Sequence, residues 1–209
     1  NNKYLFTPSL FIKKYFKIFF NRVFFINYEI PKIDIIKNFL NEISCDFKEI
    51  DKNFLIFHEN KSHLDFKIPV NNYIVLNFDE KWLFDKYLNT YRNIEPEYIQ
   101  FLDFLLNLSK KSKIVITNGF IDNPILAKLK LDDKRNFFNE IIIKDKINIF
   151  ELQNLIKHSD CLISCHGAPS HIGSNYNIKV IDIVDISEKN FFESYNHHFN
   201  KKVQIFREN

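Results

Sequence analysis

Between Asn72 and Phe199, short apolar runs and helix-spaced segments alternate five times. The runs are 73–78, 113–117, 140–143, 161–164 and 179–184. They are four to six residues long and hydrophobic on both sides of the chain, as strands of a parallel sheet covered on both faces must be. Between and after them, apolar residues recur at three and four positions over 96–108, 122–131, 148–158, 169–176 and 187–199. Pro96 and Pro124 stand near helix starts, and Asn148 with Glu151 three residues on forms a capping-box arrangement. This alternation predicts an α/β domain, a Rossmann-like doubly wound sheet with mainly parallel strands.

Such sheets bind ligands outside the carboxyl ends of their strands. The loops to inspect are therefore 79–82, 117–123, 144–149, 165–170 and 185–187. The organisation expected is a smaller α+β segment over 1–71, the Rossmann-like domain over 72–199, and a C-terminal tail over 200–209. Within the first segment the pattern suggests a helix near 33–43, strands near 46–50 and 54–57, and a polar loop over 58–67.

Composition narrows the function classes. The 29 basic and 26 acidic residues leave a net charge of +3, too balanced to argue for a nucleic-acid partner. Three cysteines, an odd number with two close together, do not make a disulfide framework, so a reducing cytoplasmic setting is expected. The chain holds 24 Phe and 9 Tyr, which excludes general disorder. It holds no Met and begins Asn1-Asn2, which reads as a processed chain or a piece of a longer one.

Near the start, Phe11, Ile12, Tyr15, Phe16, Phe19 and Val23 recur at helical spacing, with Lys13, Lys14, Lys17 and Asn21 opposite. This predicts one basic amphipathic helix over 11–25. Its charges, Arg22 included, exclude a membrane span. Two uses are open: weak docking on an anionic membrane, or packing of the Phe face on a core.

The segment richest in chemistry is Ser164-Cys165-His166-Gly167-Ala168-Pro169-Ser170-His171. It leaves a buried strand and enters a helix. Gly167 lets backbone approach a ligand, and the helix start offers amides and a positive dipole end, so a diphosphate cradle is expected. The bland reading is a turn that needed a glycine. A zinc site from His158, Cys161, Cys165, His166 and His171 is disfavoured, because the spacing fits no finger or ribbon and Cys161 opens a buried strand. After the first strand, Asp79-Glu80-Lys81-Trp82 supplies a lysine for a phosphate and an indole for a pocket wall. After the second, Thr117-Asn118-Gly119 with Asp122 offers a carboxylate for ribose hydroxyls.

Together, residues 72–186 resemble the C-terminal half of a GT-B glycosyltransferase. They are most similar to the ADP-heptose:lipopolysaccharide heptosyltransferase family and related bacterial surface-polysaccharide glycosyltransferases. The resemblance runs through Tyr73–Phe78 with Glu80-Lys81-Trp82, through Ile114–Gly119, through Phe150-Glu151-Leu152, and through Cys165–His171 in place of the family's Asp-Thr/Ser-Gly-Pro-x-His. It implies a nucleotide-sugar as donor substrate, no separate cofactor, and a glycan or glycolipid as acceptor. It also implies a diphosphate site at Lys81, Gly167, Ala168, Ser170 and His171. The nucleoside would lie at Thr117, Asn118, Asp122 and Lys144, the last from a loop lining the base. Glu80, Trp82 and His166 would wall the pocket.

Cys165 replaces the family's Asp, and one extra residue separates Gly167 from His171. Donor sugar and base therefore stay open. The family takes its catalytic base from an N-terminal domain. The roughly 70 residues before the first strand are too few for a second full Rossmann domain, so that base is expected to lie outside this chain. A non-catalytic nucleotide- or phosphate-binding module acting with a partner is the competing expectation. A hydrolase is disfavoured by the lack of a Gly-x-Ser-x-Gly elbow.

Overall fold

Six parallel strands form the main sheet of the computed structural model, which describes residues 4–7, 9–26, 32–42, 72–83, 95–133, 140–195 and 201–207. The chain divides into two compact units, one of residues 1–54 with 188–198, the other of residues 55–187 with 199–209.

The second unit carries the sheet. Its elements are β3 (Tyr73–Asn77), α3 (Tyr98–Ser109), β4 (Lys113–Thr117), α4 (Pro124–Asp133), β5 (Ile141–Lys144), α5 (Ile149–Lys157), β6 (Cys161–Cys165), α6 (Ala168–Asn175), β7 (Lys179–Asp185) and β8 (Lys202–Arg207). The strand order is β5-β4-β3-β6-β7-β8, every pair parallel. The chain first builds outward from β3 through β4 to β5, then returns to lay β6 on the other side of β3. The order reverses there, so the ends of β3 and β6 frame the switch-point crevice.

The two faces of β3 feed two separate cores, as alternation along a strand requires. Leu76 joins Phe101 and Leu105 of α3, Leu126 and Leu129 of α4, and Ile114 and Ile116 of β4. Tyr73 and Val75 join Leu155 and Ile156 of α5, Ile172 of α6, and Leu162 and Val180 of β6 and β7. Phe78, just past β3, stacks on Phe101 with ring centroids 4.4 Å apart. The Tyr73 hydroxyl donates to the Leu155 carbonyl at 2.7 Å, and burial, with a smaller contribution from Asp160, pushes this phenol up to about 12. The α5 capping box is present: Asn148 accepts from the amides of Phe150 and Glu151, and Glu151 accepts from the amide of Asn148.

The sequence expectation differs from the structure at two ends. Residues 200–209 are not a tail, because Lys202–Arg207 forms β8, the sixth strand, paired along its length with β7. The helix expected over 187–199 begins later, as α7 (Lys189–Tyr195) after a 3-10 turn over Ile186–Glu188, and belongs to the first unit; residues 196–199 lie outside the described residues.

In that first unit, β1 (Tyr4–Thr7) pairs in parallel with β2 (Arg22–Phe25), with α1 (Leu10–Tyr15) between them in sequence and α2 (Lys32–Glu42) after them. The single helix expected over 11–25 does not form. It ends at Tyr15, passes through a 3-10 turn over Phe16–Ile18, and gives way to β2. Val, Phe and Phe at 23–25 suit an extended chain, and the β1 partner supplies the ladder. Phe24 stacks on Phe6 at 5.2 Å and meets Phe39 of α2 edge-on at 4.7 Å. The strands expected near 46–50 and 54–57 and the loop over 58–67 lie outside the described residues.

Candidate functional site at the switch point

Lys81 is the residue that the strand order brings into place. A short 3-10 turn, Glu80–Trp82, follows β3, with Asp79 as its cap accepting from the Lys81 amide at 3.1 Å. The Lys81 side chain is almost fully buried and its ammonium pairs with Asp79 Oδ2 at 3.3 Å. Asn77 Nδ2 donates to that same carboxylate oxygen at 2.8 Å. The Thr117 hydroxyl donates in turn to Asn77 Oδ1 at 3.1 Å. Lys81 Nζ lies against Gly167, so closely that a Cβ on Gly167 would overlap it. Two loops 86 positions apart in sequence thus meet at the start of α6, on either side of the crevice. Gly167 itself has extended backbone (φ 163°, ψ −159°), which any residue can adopt; what it provides is room for the ammonium.

Beneath that turn lies a polar chain inside the protein. Asp182 of β7 is fully buried in the middle of an apolar strand. Its Oδ2 accepts from His166 Nδ1 at 2.7 Å and its Oδ1 accepts from the Ser170 hydroxyl at 2.7 Å. Ser170 Oγ in turn lies 2.9 Å from Ser164 Oγ. Since Ser170 spends its hydrogen on the carboxylate, Ser164 must donate to Ser170. Asp182 therefore clamps both sides of the 164–170 turn. The His166 and His171 rings meet edge to face with centroids 5.3 Å apart.

These contacts place the expected diphosphate residues. Lys81 meets Gly167 at the mouth of α6, Ala168 is exposed there, and His171 lies in the first turn of the helix with its ring against His166. Ser170, expected among the diphosphate ligands, is instead fully buried with its hydroxyl turned inward onto Asp182. The first-turn amides of Ala168 and Ser170 have no intrahelical acceptor, as in any helix, and Pro169 has none to offer.

The expected nucleoside residues are more dispersed. Thr117 is fully buried in the Asn77 network. Asn118 is also buried and ties the two neighbouring loops, donating to the Ile121 carbonyl and to Asp145 Oδ1, both at 2.9 Å. The Asp122 side chain is 91% exposed and pairs with Lys146 at 3.2 Å. Lys144 is half-buried at the end of β5. Glu80 reaches toward Gly119. The Trp82 indole N–H donates to the Asn77 carbonyl at 2.8 Å and its ring packs on Phe78 at 5.1 Å. His166 is the expected wall residue that joins the buried chain.

Residues that sequence reasoning missed are Asn77, Asp79, Ser164, Asp182 and Arg207. A lone carboxylate within an apolar run, as in Lys179-Val180-Ile181-Asp182-Ile183-Val184, is the available signal for a buried charge that needs donors. Arg207 Nη1 lies 3.7 Å from Cys165 Sγ. Burial pushes the Cys165 thiol up to about 12, against the lowering pull of Arg207.

Asp145, in the loop after β5, makes a testable contribution. Burial alone would raise its carboxyl. Hydrogen bonds from Lys130 at 2.7 Å, Asn118 and the Lys146 amide, with the Lys130 charge, outweigh this and hold it below the usual carboxylate range. Because the folded-state value is depressed, the contribution is fully present above the ordinary range and is lost as pH falls through the lowered value. Melting curves of the wild type and Asp145→Asn are expected to differ near about pH 7 and to draw together as pH falls below the ordinary carboxylate range. A difference that does not change with pH would refute this linkage.

A six-stranded, all-parallel sheet with this order and a switch-point crevice is a Rossmann-like architecture. The chain shares its fold with the glycosyl transferase family 9 protein from Veillonella parvula DSM 2008, at TM-score 0.55 and 13% identity, over 93% of this chain. It spans about half, 53%, of that protein's length. A looser likeness, at TM-score 0.40 and 14% identity, is to the UDP-GlcNAc 2-epimerase of Methanocaldococcus jannaschii, solved with UDP-GlcNAc and UDP; it covers 78% of this chain and 39% of that one. No protein-family model and no curated protein sequence matches the chain.

Proposed function

We propose that this chain is the donor-binding half of a glycosyltransferase. It would take a nucleotide-sugar by its diphosphate at the switch point, for transfer of the sugar to a glycan or glycolipid acceptor. The observation that carries this reading is the near-buried Lys81 ammonium set against Gly167 at the start of α6. An ammonium and first-turn helix amides converging on one crevice are suited to a diphosphate. Gly167, Ala168 and His171 would complete that contact. The nucleoside would extend toward Asn118, Asp122 and Lys144, along the ends of β4 and β5. The fold shared with a family 9 glycosyl transferase supports the same reading. Calorimetric titration with ADP-glucose, UDP-glucose, GDP-mannose and dTDP-glucose tests it. At least one should bind, and a folded protein that gives no heat with any of them would refute it.

A place beside the membrane completes the proposal. No described helix is long and apolar enough to cross a bilayer. Within the first unit, however, Leu10, Phe11, Tyr15, Phe16, Ile18 and Phe19 are exposed, in sequence beside Lys13, Lys14 and Arg22. Basic side chains near an anionic surface contribute about 1 kcal/mol each. Weak, salt-sensitive association with the cytoplasmic leaflet would bring the site to a lipid-linked acceptor. The protein should sediment with phosphatidylserine-containing vesicles at low salt and be released as salt is raised. Remaining in the supernatant at low salt would exclude this contact.

A further inference from the structure

We propose that the first unit holds a ligand site of its own, suited to a phosphate monoester carried on an apolar chain. The site is a cavity of about 500 Å³ whose lining comes from β1, α1, β2 and α2. A cavity of this size holds a small ligand. The inference does not rest on the sugar-nucleotide reading, which concerns the second unit.

The apolar wall is built by strand pairing. β1 and β2 set Phe6 opposite Phe24, and α2 brings Phe39 onto both rings, with centroids 4.8 Å from Phe6 and 4.7 Å from Phe24. Val23 and Ile35 extend this wall. Phe6 is 43% exposed, which leaves apolar surface for a hydrocarbon chain to take from water. The polar side is cationic. Lys13 of α1 holds its ammonium 5.8 Å from the Phe25 ring centroid, and Arg22 opens β2; both line the cavity. Asn21 and Asn38 add carboxamides. No carboxylate lines the cavity, and Asp34 of α2 faces Lys37 at 3.8 Å. Arg22 has other contacts as well; a guanidinium carries five donors, enough for more than one partner. Two cations and no carboxylate in the lining match a group with close to two negative charges. A phosphate monoester carries that charge near neutral pH, whereas a carboxylate or a phosphate diester carries one. The rings beside the cations favour a phosphate borne on hydrocarbon over the inorganic ion. Two sources supply such a group, a free amphiphile and a lipid in a bilayer.

Dodecyl phosphate, kept below its micelle threshold, is the probe. Titrated calorimetrically into the whole chain at about pH 7.5, above the second phosphate ionisation, it should bind saturably at one site. Dodecyltrimethylammonium, the same chain with the opposite charge, should not bind. Inorganic phosphate should bind at least about tenfold more weakly. Lys13→Gln and Arg22→Gln, each checked for an unchanged melting curve, should weaken dodecyl phosphate by about tenfold or more. Asn38→Trp, which keeps the charge and fills the cavity from α2, should weaken it too. Sedimentation with vesicles matched in surface charge separates the sources. A preference for phosphatidic acid over phosphatidylserine that Lys13→Gln removes assigns the bilayer lipid; binding of dodecyl phosphate without that preference assigns the free amphiphile. No binding of dodecyl phosphate, equal binding of dodecyltrimethylammonium, or wild-type affinity in both Lys13→Gln and Arg22→Gln would overturn the site. Each of these results leaves the sugar-nucleotide reading to its own titration.

Discussion

Gly173→Val should lower the melting temperature of the protein by roughly 6–12 °C. Gly173 lies buried on α6 where the helix crosses β6 and β7. A Cβ there would sit 2.9 Å from Val180 Cγ2, 3.1 Å from Leu162 Cδ2 and 3.7 Å from Ile156 Cγ2. All three neighbours belong to one fully buried core, so none can swing into solvent. Overpacking a close-packed core costs on the order of 1–3 kcal/mol, and valine adds two methyl groups beyond that first carbon, which places it near the upper end. For a chain of this size each kcal/mol is worth about 2–4 °C. Gly173→Ala should do less harm, because alanine recovers about 1 kcal/mol of helix propensity over glycine. Gly119→Ala serves as the contrast. Its Cβ would meet only Glu80 Oε2, at an ordinary 3.9 Å. Calorimetric melts of the three variants test the ranking. A Gly173→Val protein that melts with the wild type would mean that α6 stands further from the sheet than described.

The same burial explains why the main sheet is legible in the sequence. β3 and β6 are covered on both faces, so Tyr73–Leu76 and Cys161–Ile163 run apolar without interruption and cannot be taken for loops. β8 escapes because it is half exposed. Val203 and Ile205 alternate with Gln204 and Phe206 between Lys202 and Arg207, and the resulting pattern is weak without knowledge of the β7 partner. The N-terminal segment misleads for a different reason. With Phe at so many positions, apolar residues fit a helical period and a strand equally well. What decides against the helix over 11–25 is the pairing of Arg22–Phe25 with Tyr4–Thr7, a contact that no local window contains.

The site divides in a similar way. The strand-to-helix turn at Gly167 is a local signal and is readable. Its neighbours are not. Lys81 reaches Gly167 only because β6 lies beside β3, and alternation of strands and helices does not state strand order. Asp182 reads as a carboxylate pointing into a strand. Its value appears only when the fold brings His166 and Ser170 onto its two oxygens. The hydroxyls of Thr117 and Ser170 look available in sequence, and in the structure both are consumed by internal hydrogen bonds.

Gly167→Val is expected to weaken sugar-nucleotide binding by about 10- to 150-fold while leaving the melting temperature within a few degrees of wild type. The extended backbone at Gly167 accepts valine without strain. The obstacle is Lys81, whose ammonium occupies the place of the new Cβ and whose Cε would lie 3.2 Å from it. The end of a lysine side chain is flexible, so the fold can yield, and the ammonium is what moves. Losing one charge-assisted contact costs on the order of 1.5–3 kcal/mol, which sets the range above. Because the effect passes through Lys81, the two sites should not be additive. Lys81→Ala alone should show a loss of similar size, and the double variant should bind little worse than either single one. Lys81→Ala should also melt lower, since it leaves the buried Asp79 carboxylate with Asn77 and the residue-81 amide alone among the donors described here. Titration of the bound sugar nucleotide into all four proteins completes the cycle. Additive losses would separate Gly167 from Lys81 and make the glycine a plain turn residue. Unchanged binding in Lys81→Ala would remove the ammonium from the phosphate site.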